Sequence, residues 1–534
     1  MRETPRRPRW RLEGALRPLR FLLSPTGLAL TALTALAFWA RWRYAERTTI
    51  YTYDSYYYLT LGRNILHHFA YSLRGVPHYK FLPLYPGSIA LTSMFLRDVE
   101  LSGKLVNAGC FSLCVLPVYG LGRRCFRERS AGLAAAFLLA VEPLTVAWGS
   151  LPMSEGLYVL LICLASYCVV RWLGGEGQGW LWGGAVLAGL SAVTRWEGLL
   201  LMAVLGVPVL LLGRRRGLTL GRLAIAAALF LLPFSLWCLR NLVELGHPLR
   251  TAYGGEISGH PAEWEALGAL ARLKRYFLFG DFAPLGYTTQ MYNYGLLALG
   301  YGGFLAMAAL RRWRRWLLLF LPWLLLLGPF HFLWYFTSAR FLVGAVPALC
   351  LSAGALLSLP LVLARRLDAL PPVRLALAAL ALLLAGAVAA GSFPVARDLQ
   401  EHYIMRLEGD VAGPAVREAA AWAGEALPKE ALLVSNAGPM VSFYLGRDAL
   451  FLGEWQFFDP SDIDPEEAPE QMRARGVEYL LIISNTPDPR DAFRLAGIPW
   501  ELMVDYELIR YFHASTSHSP NNPEGWAWVF RLLP

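Results

Sequence analysis

Between Phe21 and Gly391 the chain is dominated by apolar runs close to the ~20 residues an α-helix needs to cross a bilayer. They fall at 21–40, 103–121, 131–148, 156–171, 180–194, 198–213, 221–239, 291–310, 316–335, 341–363 and 371–391. Backbone in hydrocarbon must satisfy its polar groups internally, so continuous runs of this length are expected to be helices. Of the 534 residues, 16% are charged, against about a quarter in soluble domains, and the deficit lies in the first 391. The expected fold is a polytopic α-helical membrane protein.

The connections between runs alternate in character. The segment MRETPRRPRWRLEGALRPLR (1–20) carries seven arginines ahead of a run too long for a signal-peptide core, so an uncleaved first helix is expected. GRRCFRERS (122–130), RWLGGEGQG (171–179), GRRRGLTLGR (213–222), RRWRR (311–315) and ARRLD (364–368) are also arginine-rich. The positive-inside rule places all of these in the cytoplasm. Residues 41–102, 149–155, 195–197, 240–290, 336–340 and everything from 392 onward then face outward. FLPLYPGSIALTSMFL (81–96) would invert every later loop if it spanned. At sixteen residues, with two prolines near its start, it reads instead as an interfacial or re-entrant helix within the first external loop. About eleven spans follow, N-terminus inside and C-terminus outside.

Residues 392–534 have ordinary soluble composition. ALLVSN (431–436), DALFLGE (448–454), VEYLLIISN (477–485) and WAWVFRLLP (526–534) read as buried strands. EGDVAGPAVREAAAWAGEAL and PEEAPEQMRARG each contain a helix, so a small extracytoplasmic α/β domain is expected, a recognition or docking module. The seven cysteines all lie in or beside apolar runs with no C-x-x-C, which argues for packing roles over disulfides or metal. The formal charge of +10 is largely arginine in short orienting loops, not a nucleic-acid surface. A chain rich in arginine, alanine, leucine and glycine points to a GC-rich bacterial genome, and so to the bacterial inner (cell) membrane.

The conspicuous polar residues gather on the outward side. TTIYTYDSYYYLTLGRN (48–64) sets one carboxylate, Asp54, among tyrosines at 51, 53, 56, 57 and 58. Tyrosine rings suit headgroup depth, and their faces also stack on sugar rings. HYKFLPLYP places Lys80 where it either snorkels to headgroups or holds a phosphate as a point charge. SLPMSEGLYVLL opens a span with Glu155, where a carboxylate suits the helix dipole. SAVTRWEGLLL interrupts an apolar stretch with Arg195 and Glu197, which pair or mark a tight turn, and TSARFLVGAVPAL puts Arg340 at the outer end of another span. Each residue has a structural explanation, but their meeting on one face, against the positive-inside bias, calls for an anionic ligand there.

In this order, the acid in a tyrosine-rich first external loop, KFLPLYP, LGRRCF (121–126), SEGLY, TRWEGL and ARFLVGAVP resemble the GT-C membrane glycosyltransferases. The likeness is to the branch of the protein O-mannosyltransferases and lipid A aminoarabinose transferases, and it covers roughly residues 25–391. It implies transfer of a sugar from a polyprenyl-phosphate carrier to a glycan, lipid or protein acceptor on the outer face. It also makes Asp54 the general base or acceptor-orienting carboxylate, and Glu155 a second acid near the acceptor or a metal. Lys80, Arg195, Arg340 and His78 become clamps on the donor phosphate; Tyr57, Tyr58, Tyr85 and Glu197 become contacts to sugar or acceptor. Two positions depart from the pattern. The Asp-Glu pair of the protein O-mannosyltransferases is Asp54–Ser55 here, and no Asp-x-Asp stands in either external acidic loop, which leaves a divalent cation open as a cofactor rather than required.

A sugar C1 bonded to a lipid phosphate is already activated. The enzyme must take a proton from the acceptor hydroxyl and stabilise charge on the departing phosphate. A transporter or flippase of a lipid-linked sugar is the alternative reading. It would show broken helices at corresponding positions of two halves, and the chain has no internal repeat. A non-catalytic scaffold leaves the outward cluster without a purpose.

Overall fold

The computed structural model describes residues 23–48, 52–250, 277, 294–327, 339–366, 370–400, 413–452, 463–484, 486–515 and 524–534. Residues 1–20 and most of the 240–290 loop lie outside the described residues. The first long helix, Pro25–Ala45, starts where Ser24 Oγ accepts the Gly27 N–H at 3.1 Å, with proline at its first position. The helix Tyr53–His68 follows, capped by Thr52 Oγ1 accepting the Ser55 N–H at 3.2 Å. Two short strands, β1 (Ser72–Leu73) and β2 (Val76–Pro77), pair through Arg74 and Gly75, both at positive φ as a two-residue hairpin turn demands. The 81–96 stretch then forms the helix Leu84–Leu96, which exposes Leu91, Met94 and Phe95 along one flank.

The remaining apolar runs form a bundle. Six helices among the described residues are long and apolar enough to cross a membrane: Val99–Phe126, Glu155–Leu173, Trp196–Arg216, Leu220–Leu245, Val346–Arg365 and Pro371–Asp398. Five more apolar helices are shorter, Leu84–Leu96 among them. The chain is a polytopic helical membrane protein. Two boundaries differ from the sequence expectation. The last helix continues past the expected domain boundary at 391 as far as Asp398, and Leu220–Leu245 runs into the segment expected to be loop from 240.

The run 131–148, expected as one helix, is broken into Arg129–Ala140 and Pro143–Trp148. The break frees the carbonyls of Leu139 and Ala140, and the buried guanidinium of Arg41 donates to both, at 3.3 and 3.0 Å, and to Thr145 Oγ1 at 2.8 Å. Glu142 caps the second piece, accepting the N–H groups of Leu144 (3.0 Å) and Thr145 (2.7 Å). An arginine in the first helix thus satisfies a helix end that hydrocarbon could not.

The C-terminal residues combine one mixed sheet with helices. Strands β3 (Leu432–Ser435), β4 (Leu450–Phe451), β5 (Val477–Ser484), β6 (Tyr506–Ser515) and β7 (Glu524–Leu532) give the order β4-β3-β5-β7-β6. The β4-β3-β5 part is parallel and the β5-β7-β6 part antiparallel. Strand β6 had no sequence expectation, because its glutamate, arginine and histidine break the apolar signal. The helix Gly413–Ala426 covers one face, and a single hydrophobic core runs from the bundle into this face through Leu399, Ala419 and Val529. Docking falls on the residues that follow the first helix, between Tyr56 and Glu100. Arg63 Nη1 donates to the Phe443 carbonyl at 2.9 Å, Arg417 faces Glu100 at 3.4 Å, and Tyr56 packs on the rings of Phe443 and Tyr444.

Candidate active site at the acidic end of the bundle

Two acids begin two helices at the same end of the bundle. Asp54 lies in the first turn of Tyr53–His68, and Glu155 opens Glu155–Leu173, positions where a helix dipole favours a negative charge. Each faces a guanidinium from a 3₁₀ turn. Arg340, on Ala339–Leu342, places Nη2 2.7 Å from Asp54 Oδ2. Arg195, just before Trp196–Leu200, places Nη1 2.7 Å from Glu155 Oε1 and Nη2 2.9 Å from Glu197 Oε1. Phe341 lies between the two arginines, its ring centroid 5.1 Å from the Arg340 guanidinium and 6.0 Å from that of Arg195.

The loop carrying Lys80 is tied to the Arg195 turn by two hydrogen bonds. Trp196 Nε1 donates to the Lys80 carbonyl at 3.3 Å, and the Leu84 N–H to the Val193 carbonyl at 3.1 Å. Burial alone would favour the neutral acid at Asp54. Arg340 outweighs it, joined by Lys80 and Arg195, and holds the carboxyl below the usual carboxylate range. Asp54 is therefore ionised at neutral pH and shares a patch with three cations.

The other expected residues divide. Tyr58 belongs to the cluster. Its hydroxyl lies 3.1 Å from Ser154 Oγ, which is also 3.3 Å from Arg195 Nη1. Burial pushes that hydroxyl up, so it remains a proton donor and not a base. Tyr57 is half-buried with its ring 5.5 Å from Phe81. Tyr85 is turned to packing: its hydroxyl donates to the Gly103 carbonyl at 3.0 Å and its ring meets Tyr58 edge-on. His78 does not supply the cation expected of it. Its Nε2 accepts the Phe81 N–H at 3.0 Å, and burial with the charges of Lys80 and Arg240 pushes it down to about 3. It is a neutral brace for the Lys80 loop. Glu197 serves as the second carboxylate on Arg195.

Sequence reasoning missed the residue that fixes Glu155. Asn107, fully buried, donates through Nδ2 to the carbonyls of Trp148 (2.8 Å) and Leu151 (2.7 Å) and accepts the Gly156 N–H at 2.7 Å. A Cβ on Gly156 would run into the Asn107 carbonyl and Oδ1, which accounts for the glycine of SEGLY. The signal was a lone amide inside an apolar run. Trp148, Tyr158 and Phe341, whose rings lie beneath the arginines, read as ordinary core aromatics.

Among the described residues, two buried oxygens in this cluster, Glu155 Oε2 and the Tyr158 hydroxyl, lack hydrogen-bond partners. Buried polar atoms are normally satisfied, so a bound hydroxyl or water would find partners here. Ser55, which stands where the resembling family carries glutamate, is buried with Oγ 3.1 Å from Met153 Sδ. A second carboxylate at that position would meet a thioether.

The sequence profile of the family described as dolichyl-phosphate-mannose-protein mannosyltransferase matches residues 82–238. That interval holds Tyr85, Asn107, Glu155, Arg195 and Glu197, while Asp54, Lys80 and Arg340 lie outside it. No curated protein sequence matches the chain. Among solved structures, the fold resembles the archaeal oligosaccharyltransferase AglB from Archaeoglobus fulgidus, solved with an inhibitory peptide and a dolichol-phosphate. The TM-score is 0.63 at 15% identity over 95% of this chain and 74% of that one. It also resembles ArnT from Cupriavidus metallidurans bound to undecaprenyl phosphate, with TM-score 0.55 and 12% identity over 95% of this chain and 98% of that one. The arabinofuranosyltransferase AftD from Mycobacteria gives TM-score 0.56 at 13% identity, over 95% of this chain and 40% of that one. At these identities the likeness is one of fold.

Proposed function

We infer that this chain, which carries the GT-C fold, is an inverting membrane glycosyltransferase. It moves a sugar from a polyprenyl-phosphate carrier to a glycan, lipid or protein acceptor on the outer face of the membrane. The observation that carries the reading is the Asp54–Arg340 pair, an ionised carboxylate beside cations at the mouth of this fold. The similar structures of AglB and ArnT are recorded with polyprenyl phosphates, and the profile match is to a transferase family.

In the reaction, the acceptor oxygen attacks the sugar C1 from the face opposite the phosphate. The new C1–O bond forms as the C1–O–phosphate bond breaks, so the anomeric centre inverts. The acceptor proton passes to Asp54 and the electron pair leaves with the phosphate. Lys80, Arg195 and Arg340 hold that phosphate and the charge growing on it. Arg340 is shared: as the donor phosphate draws it, the Asp54 carboxylate loses its closest counter-charge and becomes a better base. Glu155 Oε2 and the Tyr158 hydroxyl orient the acceptor, and Tyr57 and Tyr58 wall the sugar.

Three carboxylates, each facing a guanidinium, suit a phosphate held by cationic side chains better than a bound divalent cation. The arginine-rich loops support a cytoplasmic N-terminus, a membrane domain of residues 21–391 extended by its last helix to Asp398, and a C-terminal domain outside, in a bacterial cell membrane. The flippase alternative has no support in the acidic cluster, which stands at the ends of the helices and not at mid-depth.

The test is transfer from radiolabelled polyprenyl-phosphate sugars by purified protein in lipid, wild type against Asp54→Asn. Label reaching an acceptor with wild type, and lost by about 10²-fold or more in a folded variant, supports the enzyme and its base. Transfer that survives the substitution removes Asp54 from that role. Lipid-linked sugar crossing the bilayer without transfer would sink the enzyme reading.

A further inference from the structure

The bundle carries a second charged site at its other end. The helix Glu155–Leu173, 19 residues long, separates Glu155 from the Gly174 turn by about 28 Å. There a cavity of about 460 Å³ is lined by Arg123, Arg124, Arg127, Arg129, Arg315 and Trp316, with Gly174 at its rim. The arginines come from two separate connections, 122–130 and 311–315.

Orienting a membrane protein needs arginines in these loops, but it does not need five of them around one cavity. Like charges brought together repel, and the repulsion grows as the surroundings become less aqueous. The neighbouring acids do not relieve it. Glu176 pairs with Arg124 and Arg171, and Glu128 with Arg365 at 2.8 Å. Among the described residues, Arg123, Arg127, Arg129 and Arg315 have no carboxylate partner. Trp316 supplies an independent observation. It is buried, it lines the same cavity, and among the described residues its indole N–H has no acceptor. Four exposed guanidiniums with no carboxylate partner among the described residues, and one indole N–H, line the same space.

We propose that this cavity binds a phosphate-bearing anion, supplied by the headgroup of an anionic membrane lipid. Guanidinium forks match phosphate oxygens in pairs, and a fifth donor from indole completes the set. The cavity lies at the end of membrane-length helices, and basic pockets between helix ends are suited to such headgroups. The ligand is thus held on the leaflet opposite the Asp54 site, and the role is one of anchoring the bundle.

The test uses the full-length protein purified in a zwitterionic detergent. It is mixed with vesicles of phosphatidylglycerol or phosphatidylcholine, and retained lipid is counted by native mass spectrometry. Wild type should retain phosphatidylglycerol over phosphatidylcholine. The Arg123→Gln/Arg127→Gln pair and, separately, Arg315→Gln should each lower that retention by about tenfold. Arg365→Gln, outside the cavity, should not. Trp316→Phe, which keeps the ring and removes the donor, should weaken retention without unfolding the chain. Inorganic phosphate forms a parallel arm. If it protects wild type but not the variants against heat while phosphatidylglycerol is ignored, the phosphate site stands and the lipid source is overturned. Equal retention of both lipids, or retention unchanged in the variants with no effect of phosphate, overturns the proposal altogether.

Discussion

Arg340 and Asp54 meet at 2.7 Å, with Lys80 and Arg195 contributing to the same field, so the acid proposed as the base is held below the usual carboxylate range. Removing Arg340 leaves burial as the larger influence and raises Asp54. The acid limb of the pH–rate profile should therefore shift to higher pH in Arg340→Gln. Transfer should also fall about 10–100-fold, the loss of one charge-assisted contact to the donor phosphate. The same substitution removes stability that Asp54 contributes above its unfolded value of about 3.9 and loses as pH falls below it. Transfer measured across pH 4–8 decides the matter. An unmoved acid limb would separate Asp54 from the titration.

Among the described residues Glu155 has Arg195 as its one ion-pair partner, and Arg195 holds Glu197 as well, so replacing it with methionine strands the Glu155 carboxylate. Breaking a buried pair in this way costs about 3–5 kcal/mol. Arg195→Met should melt well below wild type in lipid. Arg195→Lys, which keeps the charge and loses the fork, should fall between them. If methionine melts like wild type, the triad is not the brace described above.

The segment 148–156 holds its shape through one side chain. Asn107→Ala leaves two buried carbonyls and the Gly156 N–H without their partner, a loss of about 2–4 kcal/mol. Because Glu155 begins the helix next to that N–H, transfer should fall with stability. Asn107→Asp, which still accepts from Gly156 but no longer donates, should recover only part of the melting temperature. Full recovery would mean that the two carbonyls find other donors.

Much of this was legible in the sequence, and the reasons are physical. Membrane helices declare themselves by length and hydropathy, and Asp54, Glu155, Arg195 and Arg340 stood out because ionised groups at a membrane boundary need a partner. The pairing of Arg195 with Glu197, two residues apart on one turn, was one of two readings the sequence allowed. The pairing of Asp54 with Arg340 could not, since 286 residues separate them and only the fold closes that distance. Other features depend on neighbours remote in sequence. The break near Glu142 depends on Arg41, which caps the freed carbonyls. His78 looked like a cation because a histidine near a lysine offers charge on paper; burial, two nearby cations and a backbone N–H make it neutral. Strand β6 was missed because pairing with β7 stabilises a strand whose own sequence mixes apolar and charged residues.

The braced His78 carries a pH signature of its own. Its folded-state value, about 3, lies below the ordinary 6.5. A histidine depressed in this way contributes stability above its unfolded value and loses it as pH falls towards the folded one, so the loss occupies the window from 6.5 down to about 3. Protonation would also remove the Nε2 lone pair that accepts the Phe81 N–H, loosening the loop that carries Lys80. His78→Gln keeps an acceptor for that N–H and cannot take the proton. Between pH 6.5 and 4 the melting temperature of wild type should fall more steeply than that of the variant, and donor affinity should decline with it in wild type alone. Parallel curves for the two proteins would assign the acid sensitivity to the carboxylates facing Arg195 and Arg340 instead.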